Sequence, residues 1–139
     1  MMKFIRPGLI LLCCLVMAGC ATQKVVREEF EKSMKGYNKM LRWHEIENAG
    51  MLYLAPEELD AFMTTAETIR KKGVTITDYR ILTWECLPEK NSATVLTEFD
   101  YYIMPSNRIK KLTYKQEWAY REISDRKSWK LKSGLPAFE

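Results

Sequence analysis

Histidine is almost missing from this sequence, which contains only His44. That excludes a site with several histidine ligands and a catalytic pair of histidines. The sequence also lacks the paired-cysteine spacing of zinc sites and the Asp-rich, glycine-containing loops of calcium sites. Glycine-rich nucleotide loops and Gly-x-Ser-x-Gly nucleophile motifs are absent too. We therefore predict neither a metal nor a cofactor.

Long apolar runs are also missing, and the longest one, Leu9 to Met17, is too short to span a bilayer, which needs about 20 residues. Lys3 and Arg6 precede this run, and the small residues Ala18-Gly19 follow it. A basic start, a short apolar segment and small residues at its end are typical of a secretory signal peptide. We predict that residues 1–19 form such a signal.

A cysteine stands directly after the small pair, and the segment Val16-Met17-Ala18-Gly19-Cys20 resembles the bacterial lipobox, with Met17 in the place where leucine is usual. The resemblance implies cleavage between Gly19 and Cys20 and acylation of Cys20, which would anchor the protein in a membrane. Because Ala21 and not aspartate follows, it also implies sorting to the outer membrane, facing the periplasm. A plain cleaved signal with an incidental cysteine and an uncleaved membrane-bound helix are the alternatives.

Once the signal is removed and Cys20 is acylated, Cys86 is the one free cysteine left, so no intramolecular disulfide can form. Cys86 lies in the apolar stretch Trp84-Glu85-Cys86-Leu87. A buried cysteine behaves as a small apolar residue. We favour this interpretation over a redox role.

The remaining 119 residues are enough for one domain, which we place at residues 26–139 after a short tether at residues 20–25. The net charge of the chain is +4 and falls to +2 without Lys3 and Arg6. This near-balance argues against a nucleic-acid binder. Basic residues are nevertheless concentrated between Arg108 and Lys132, in a pattern that suits either an anionic partner or the solvated side of strands.

Apolar residues recur at steps of three and four in two segments, which predicts two amphipathic helices. The first runs from about Val26 to Ile46 and is interrupted at Asn48-Ala49-Gly50. The second begins at Pro56, where proline and the acidic residues behind it favour a helix start, and ends at Lys72 before Gly73.

After Gly73 the apolar residues alternate with polar ones, which is typical of a half-buried antiparallel sheet. Four strands are predicted, at Val74 to Leu87, Ala93 to Met104, Arg108 to Glu122 and Lys127 to Lys132. The predicted fold class is therefore α+β, with N-terminal helices packed on one curved, four-stranded antiparallel sheet.

The order of these elements, together with the patterns Gln116-x-Trp118, Ser128-Trp129-x-Leu131 and Gly134-Leu135-Pro136-x-Phe138, resembles the nuclear transport factor 2-like superfamily. The resemblance covers most of the chain after the signal. It implies a cone in which a strongly bent sheet wraps a long helix and leaves a pocket at the open end. It also implies ligand binding, or dimerisation through the outer face of the sheet, in many members and isomerase or dehydratase activity in some.

Candidate site residues follow from this resemblance and from the strand pattern. The candidate lining of a ligand pocket is Tyr53, Tyr101, Tyr114, Gln116 and Trp118. The candidate partner surface is Lys111, Lys115 and Arg121. Alternation places Glu98 and Asp100 outside the pocket, so they are poor candidates for catalytic carboxylates. His44 remains a weak catalytic candidate, because a histidine on an apolar stripe is more often a core or cap residue.

Three functions stay open at this point. The first is a non-catalytic envelope lipoprotein whose domain binds a protein or an envelope component, with a homodimer through the outer sheet face also compatible. The second is a carrier that holds a small apolar ligand in the cone. The third is an enzyme of the isomerase or dehydratase type, whose bell-shaped pH dependence would be lost in His44→Ala.

Overall fold

The computed structural model describes residues 6–139, with side chains for residue 19 and from residue 21 onward. Three helices precede a four-stranded sheet, so the α+β prediction is confirmed. The helices are α1 (Arg6–Arg42), α2 (Ile46–Tyr53) and α3 (Pro56–Lys72). The strands are β1 (Val74–Leu87), β2 (Ser92–Ile103), β3 (Lys110–Ile123) and β4 (Arg126–Leu131), with a 3-10 turn at Pro88–Lys90.

The bounds of α3 and β1 are those that the sequence predicts. Pro56 occupies the first turn of α3, where its missing N–H group costs nothing, and Glu57 and Glu58 lie in the same turn. Gly73 ends the helix with a φ of 75°, a left-handed conformation that glycine adopts without strain. The local sequence signals at both ends of α3 therefore lie where the helix begins and ends in the folded domain.

The region between the two predicted helices differs from the prediction. The first helix ends at Arg42 and not near Ile46, and the stretch Asn48-Ala49-Gly50, predicted as an interruption, lies inside α2. Ala49 and Gly50 are buried, and a Cβ atom added at Gly50 would lie 2.6 Å from the ring of Phe62. Glycine thus lets α2 approach α3 closely, and this packing overrides the low helix propensity of the segment.

The predicted tether is also helical in the structure. Residues 21–25 continue α1 and are exposed. The predicted signal peptide, residues 1–19, and the side chain of Cys20 lie outside the part of the chain whose side chains are described, except for Gly19.

The sheet is a simple meander in the order β1-β2-β3-β4, and every neighbouring pair is antiparallel. Two register shifts interrupt β1, between Ile76 and Asp78 and between Ile81 and Thr83. Such bulges bend a strand and increase its twist. They therefore help the sheet to curve around the helices.

Burial in β2 alternates strictly, and its inward residues form the centre of the core. Ala93, Val95, Phe99 and Tyr101 share this inner face, and Thr97 completes it. We call the helix-covered side of the sheet the inner face and the opposite side the outer face. The buried aromatic residues that fill the inner face come from both layers: Phe30, Tyr37, Phe62, Phe99, Tyr101, Trp118, Trp129 and Phe138.

The chain after β4 closes one side of this core. Phe138 is 1% exposed, and its ring packs against Phe99 and Tyr101 with centroid distances of 5.9 and 4.9 Å. The Tyr101 hydroxyl donates to the main-chain oxygen of Glu139 at 2.7 Å. Residues 132–139 thus cover part of the inner face.

Candidate functional site

Gln116, one of the five candidate pocket residues, lies on the inner face and is 1% exposed. Its amide forms a reciprocal pair with Asn38 of α1. The Gln116 Nε2 donates to Asn38 Oδ1 at 2.8 Å, and the Asn38 Nδ2 donates to Gln116 Oε1 at 3.2 Å. Both amides are therefore paired inside the core, and Gln116 links the sheet to α1.

The two candidate tyrosines of the sheet also have partners from the chain itself. The Tyr114 hydroxyl donates to the carbonyl oxygen of Ser133 at 2.6 Å. Tyr101 donates to Glu139, as described above. In both cases the hydroxyl fastens the segment after β4 to the inner face.

Trp118 and Tyr53 complete the candidate set and belong to a cluster of rings. Trp118 is 1% exposed and lies with centroid distances of 5.6 Å to Tyr37, 6.0 Å to Phe30 and 6.2 Å to Tyr53. The Tyr53 hydroxyl packs closely against Gly36 of α1. Burial raises the pKa of Tyr37 and Tyr53. The structure therefore brings all five candidates to the inner side of the sheet, where they contact the helices or the segment after β4.

Two buried polar atoms on the inner face lack a hydrogen-bond partner in the described part of the chain, Thr97 Oγ1 and Trp118 Nε1. Both side chains are at most 1% exposed. Buried polar groups in proteins are usually satisfied by other protein atoms or by ordered water. Among the described residues, these two are the buried side-chain polar atoms without a partner, and a bound ligand with a suitable polar group would satisfy them.

His44 lies away from the inner face, in the turn between α1 and α2. It is exposed and has a φ of 62°, so the apolar stripe of α1 that the sequence predicts does not reach it. Its Nε2–H donates to the carbonyl oxygen of Ile76 at 3.2 Å. His44 therefore joins this turn to β1, which is a structural role of the cap type.

The outer face carries a network of charged side chains across three strands. Arg80 donates to Glu98 at 2.6 Å and to Asp100 at 2.7 Å, and Lys111 donates to Asp100 at 3.1 Å. Glu98 and Asp100 lie on this outer face, the side on which alternation places them, away from the predicted pocket. The carboxylates raise the pKa of Arg80 further above its usual value. The network neutralises most of its own charge and is suited to holding the register of the three strands.

A groove of about 320 Å³ lies next to this network on the outer face. It is lined by Thr83, Trp84, Glu85, Thr94, Val95, Leu96 and Lys115. Glu85 and Lys115 supply opposite charges, and Leu96 and the threonines supply a partly apolar surface. The exposed Leu82 lies next to it in sequence, at 45% exposure.

The three candidate partner residues have different surroundings. Lys111 and Lys115 lie on the outer face of β3, with side chains 63% and 64% exposed. Lys115 approaches only Glu117, at 4.0 Å, among the acidic side chains described. Arg121 instead forms an ion pair with Glu57 at the start of α3, and a backbone hydrogen bond together with Arg121 lowers the pKa of Glu57. Lys115 is thus the basic residue of the three that is most available to a partner.

The outer-face network gives the protein a specific pH dependence. Hydrogen bonds from Arg80, and then from Lys111, hold the pKa of Asp100 below its usual value of 3.8. Because the folded-state pKa is the lower one, this stabilisation is complete above the unfolded pKa and is lost as the pH falls through the folded pKa. We expect the free energy of unfolding to decline in acid less steeply for Asp100→Asn than for the parent chain, in urea titrations at decreasing pH. Parallel curves would show that the network contributes nothing.

The groove and the Arg80 network are features that sequence reasoning misses. The residues of both come from different strands, and two bulges in β1 shift which residues face each other. Alternation alone identifies the outward residues of β2 and β3. It does not identify Arg80 as the partner of Glu98, because that pairing requires the register.

Cys86 is buried, as the sequence predicts, at 6% exposure, and burial raises the pKa of its thiol. In the described part of the chain no three His, Cys, Asp or Glu side chains are arranged to hold a metal ion. No helix among the described residues has the length and apolar character required to cross a membrane.

Comparisons with known proteins do not identify a family for this chain. No family model matches the chain, and no curated protein matches it. A solved structure with a similar arrangement is the intermembrane space region of the chloroplast protein ARC6, with a TM-score of 0.48 and 12% sequence identity. The match covers 78% of this chain and 92% of that one. No functional inference follows from a likeness this distant.

Proposed function

We propose that this protein is a lipid-anchored component of a bacterial envelope, and that its domain is a non-catalytic interaction module that uses the outer face of the sheet. One observation carries the proposal. The inner face is packed by helices and by residues 132–139, whereas the outer face carries a groove and charged side chains. The nuclear transport factor 2-like resemblance and the location in the outer membrane belong to the same proposal.

Support for the anchor comes from the sequence, namely the signal-like segment and the lipobox-like residues that end at Cys20. Two or three acyl chains hold a protein stably on a membrane, at about 0.8 kcal/mol for each buried CH₂ group. The test is the intact mass of the full chain after expression in a bacterium. We expect loss of residues 1–19 with an added acyl mass, and loss of that mass in Cys20→Ser. An unmodified Cys20 in the parent chain would refute the anchor.

Support for the outer face comes from the exposure of Lys115 and the groove beside it. A photoreactive amino acid at Thr83, in the groove, is expected to give an adduct with an envelope component or with a second copy of the chain. Lys115→Glu should reduce this adduct, whereas Lys39→Glu should not, because Lys39 is an exposed residue of α1 that is not among those that line the groove. Absence of any adduct at Thr83, or equal effects of both reversals, would refute the outer face as the binding surface.

One observation favours the carrier of a small apolar ligand as a second candidate. Thr97 Oγ1 and Trp118 Nε1 are buried on the inner face without a partner among the described residues. A ligand with one acceptor group would satisfy Trp118 if the ring cluster opened to admit it. This alternative predicts a molecule that copurifies and raises the melting temperature.

A further inference from the structure

The orientation of α1 defines two ends of the domain. Near the middle of α1, the Trp129 Nε1–H donates to the carbonyl oxygen of Val26 at 3.0 Å, and the Tyr120 hydroxyl donates to Glu29 at 3.3 Å. The helix also contacts the turn Pro88–Lys90, and its Arg27 lies beside the thiol of Cys86, just before that turn. The β1-β2 turn and the start of β4 therefore lie at the end of the domain that is nearer to Cys20. We call this the anchor end.

The opposite end is formed by the C-terminus of α1, the C-terminus of α3 and the loop between β2 and β3. His44, just after α1, contacts Ile76 near the start of β1. Met104 in the loop donates its N–H to the carbonyl oxygen of Gly73, just after α3. At 1.5 Å per residue, the helix from Cys20 to Arg42 is roughly 33 Å long. This distal end therefore faces away from a membrane that holds Cys20.

Large apolar side chains are exposed at the distal end. Met104 is 63% exposed and Ile109 is 52% exposed, and both lie in the loop of residues 104–109 between β2 and β3. Trp43 in the turn after α1 is 62% exposed, with the guanidinium of Arg42 5.2 Å from its ring centroid. Met104 and Ile109 thus offer two exposed apolar side chains within one six-residue loop, and exposed apolar surface of this kind is typical of interaction sites.

Basic side chains lie within the loop and beside it. Arg108 lies between the two apolar residues in sequence, and Lys72 ends α3 next to Gly73. Neither forms an ion pair with an acidic side chain in the described part of the chain. Lys72 donates to the main-chain oxygen of Phe138 at 3.5 Å, and the Arg108 N–H group of the main chain donates to Ser106. Both positive charges are thus available to an outside partner.

We propose that the distal loop, Met104 to Ile109, is a docking site for an acidic segment of another envelope protein that carries apolar side chains. Apolar contacts with Met104 and Ile109 would supply affinity, and Arg108 and Lys72 would select for carboxylates. The site is separate from the outer-face groove. Its position away from the membrane rests on the proposed anchor at Cys20.

The test uses the full chain in living cells, with photoreactive p-benzoylphenylalanine placed at Met104 or at Ile109. We expect one protein adduct from both positions, and we expect mass spectrometry to locate the cross-link in a peptide containing Asp or Glu and apolar residues. Placed at Lys90, at the anchor end, the same group should not give this adduct. Arg108→Glu should reduce its yield roughly tenfold, which corresponds to a loss of 1.4 kcal/mol, and Lys90→Glu should leave it unchanged.

The proposal is overturned by no adduct at either position, by an adduct with lipid or with a second copy only, or by an adduct that survives Arg108→Glu in full. The use of two positions keeps the test valid if one variant fails to fold. Circular dichroism checks that each variant is folded. The Thr83 adduct tests the outer face separately, and the acyl mass on Cys20 tests the anchor. A negative result at the distal loop is therefore distinguishable from failure of either of those proposals.

Discussion

Trp118→Ala is expected to lower the free energy of unfolding by about 3–5 kcal/mol, a large share of the roughly 5–15 kcal/mol of a typical domain. Trp118 is 1% exposed and contacts the rings of Phe30, Tyr37 and Tyr53. Because its Nε1 has no described partner, the loss would come from packing and the cavity left behind, and not from a hydrogen bond. Denaturant titration followed by circular dichroism measures it.

Trp43→Ala is the matched control, since it removes the same side chain from a position that is 62% exposed. We expect a change within about 0.5 kcal/mol, the usual effect of a surface substitution. If both variants lost the same stability, or if Trp118→Ala lost none, the inner face would not be the packed core described above.

Gln116→Leu is expected to lower the free energy of unfolding by about 1–3 kcal/mol. The leucine removes both hydrogen bonds between Gln116 and the Asn38 amide, which is 0% exposed. Asn38 then keeps only the bond from its Nδ2 to the carbonyl oxygen of Met34 at 3.0 Å. A buried polar group without its partner bears the cost of desolvation.

The double variant Asn38→Leu and Gln116→Leu distinguishes this cause from a simple change of volume. Replacing both partners removes the unpaired amide, so the double variant should be more stable than Gln116→Leu alone. A double variant whose loss equals the sum of two independent losses would show that the two amides do not interact. Urea titration of the parent chain and the three variants completes the cycle.

Much of the fold follows from local signals in the sequence. Pro56, the acidic first turn and Gly73 define α3, and alternation identifies β2 and most of β3, although the predicted start of β3 at Arg108 lies in the loop before Lys110. The helix α2 does not follow from local signals, because it depends on the close approach of Gly50 to Phe62 of α3, twelve residues further along the chain. The end of α1 is missed because the apolar spacing continues to His44 while the backbone turns there.

The candidate site is only partly predictable, for a related reason. Strand parity places Tyr101, Tyr114, Gln116 and Trp118 on one face, and the structure agrees. What parity does not reveal is that residues 132–139 cover this face and that Asn38 pairs with Gln116. Those contacts join segments that are far apart in the chain, and they depend on tertiary packing.

The packed inner face favours a protein that acts through its surface. Two separate surfaces are available, the outer-face groove beside Lys115 and the distal loop from Met104 to Ile109. A protein anchored at Cys20 would present the distal loop farthest from its membrane. The two sites would then allow one small domain to hold two partners at once.

Native mass spectrometry of residues 21–139 tests whether the inner face is a filled core or a ligand pocket. This fragment contains the buried core residues that the structure describes, from Phe30 to Phe138. We predict the mass of the polypeptide alone, as a monomer or dimer. A small molecule that copurifies in stoichiometric amount, and is lost in Gln116→Leu, would show that the inner face is a ligand pocket and would identify the protein as a carrier.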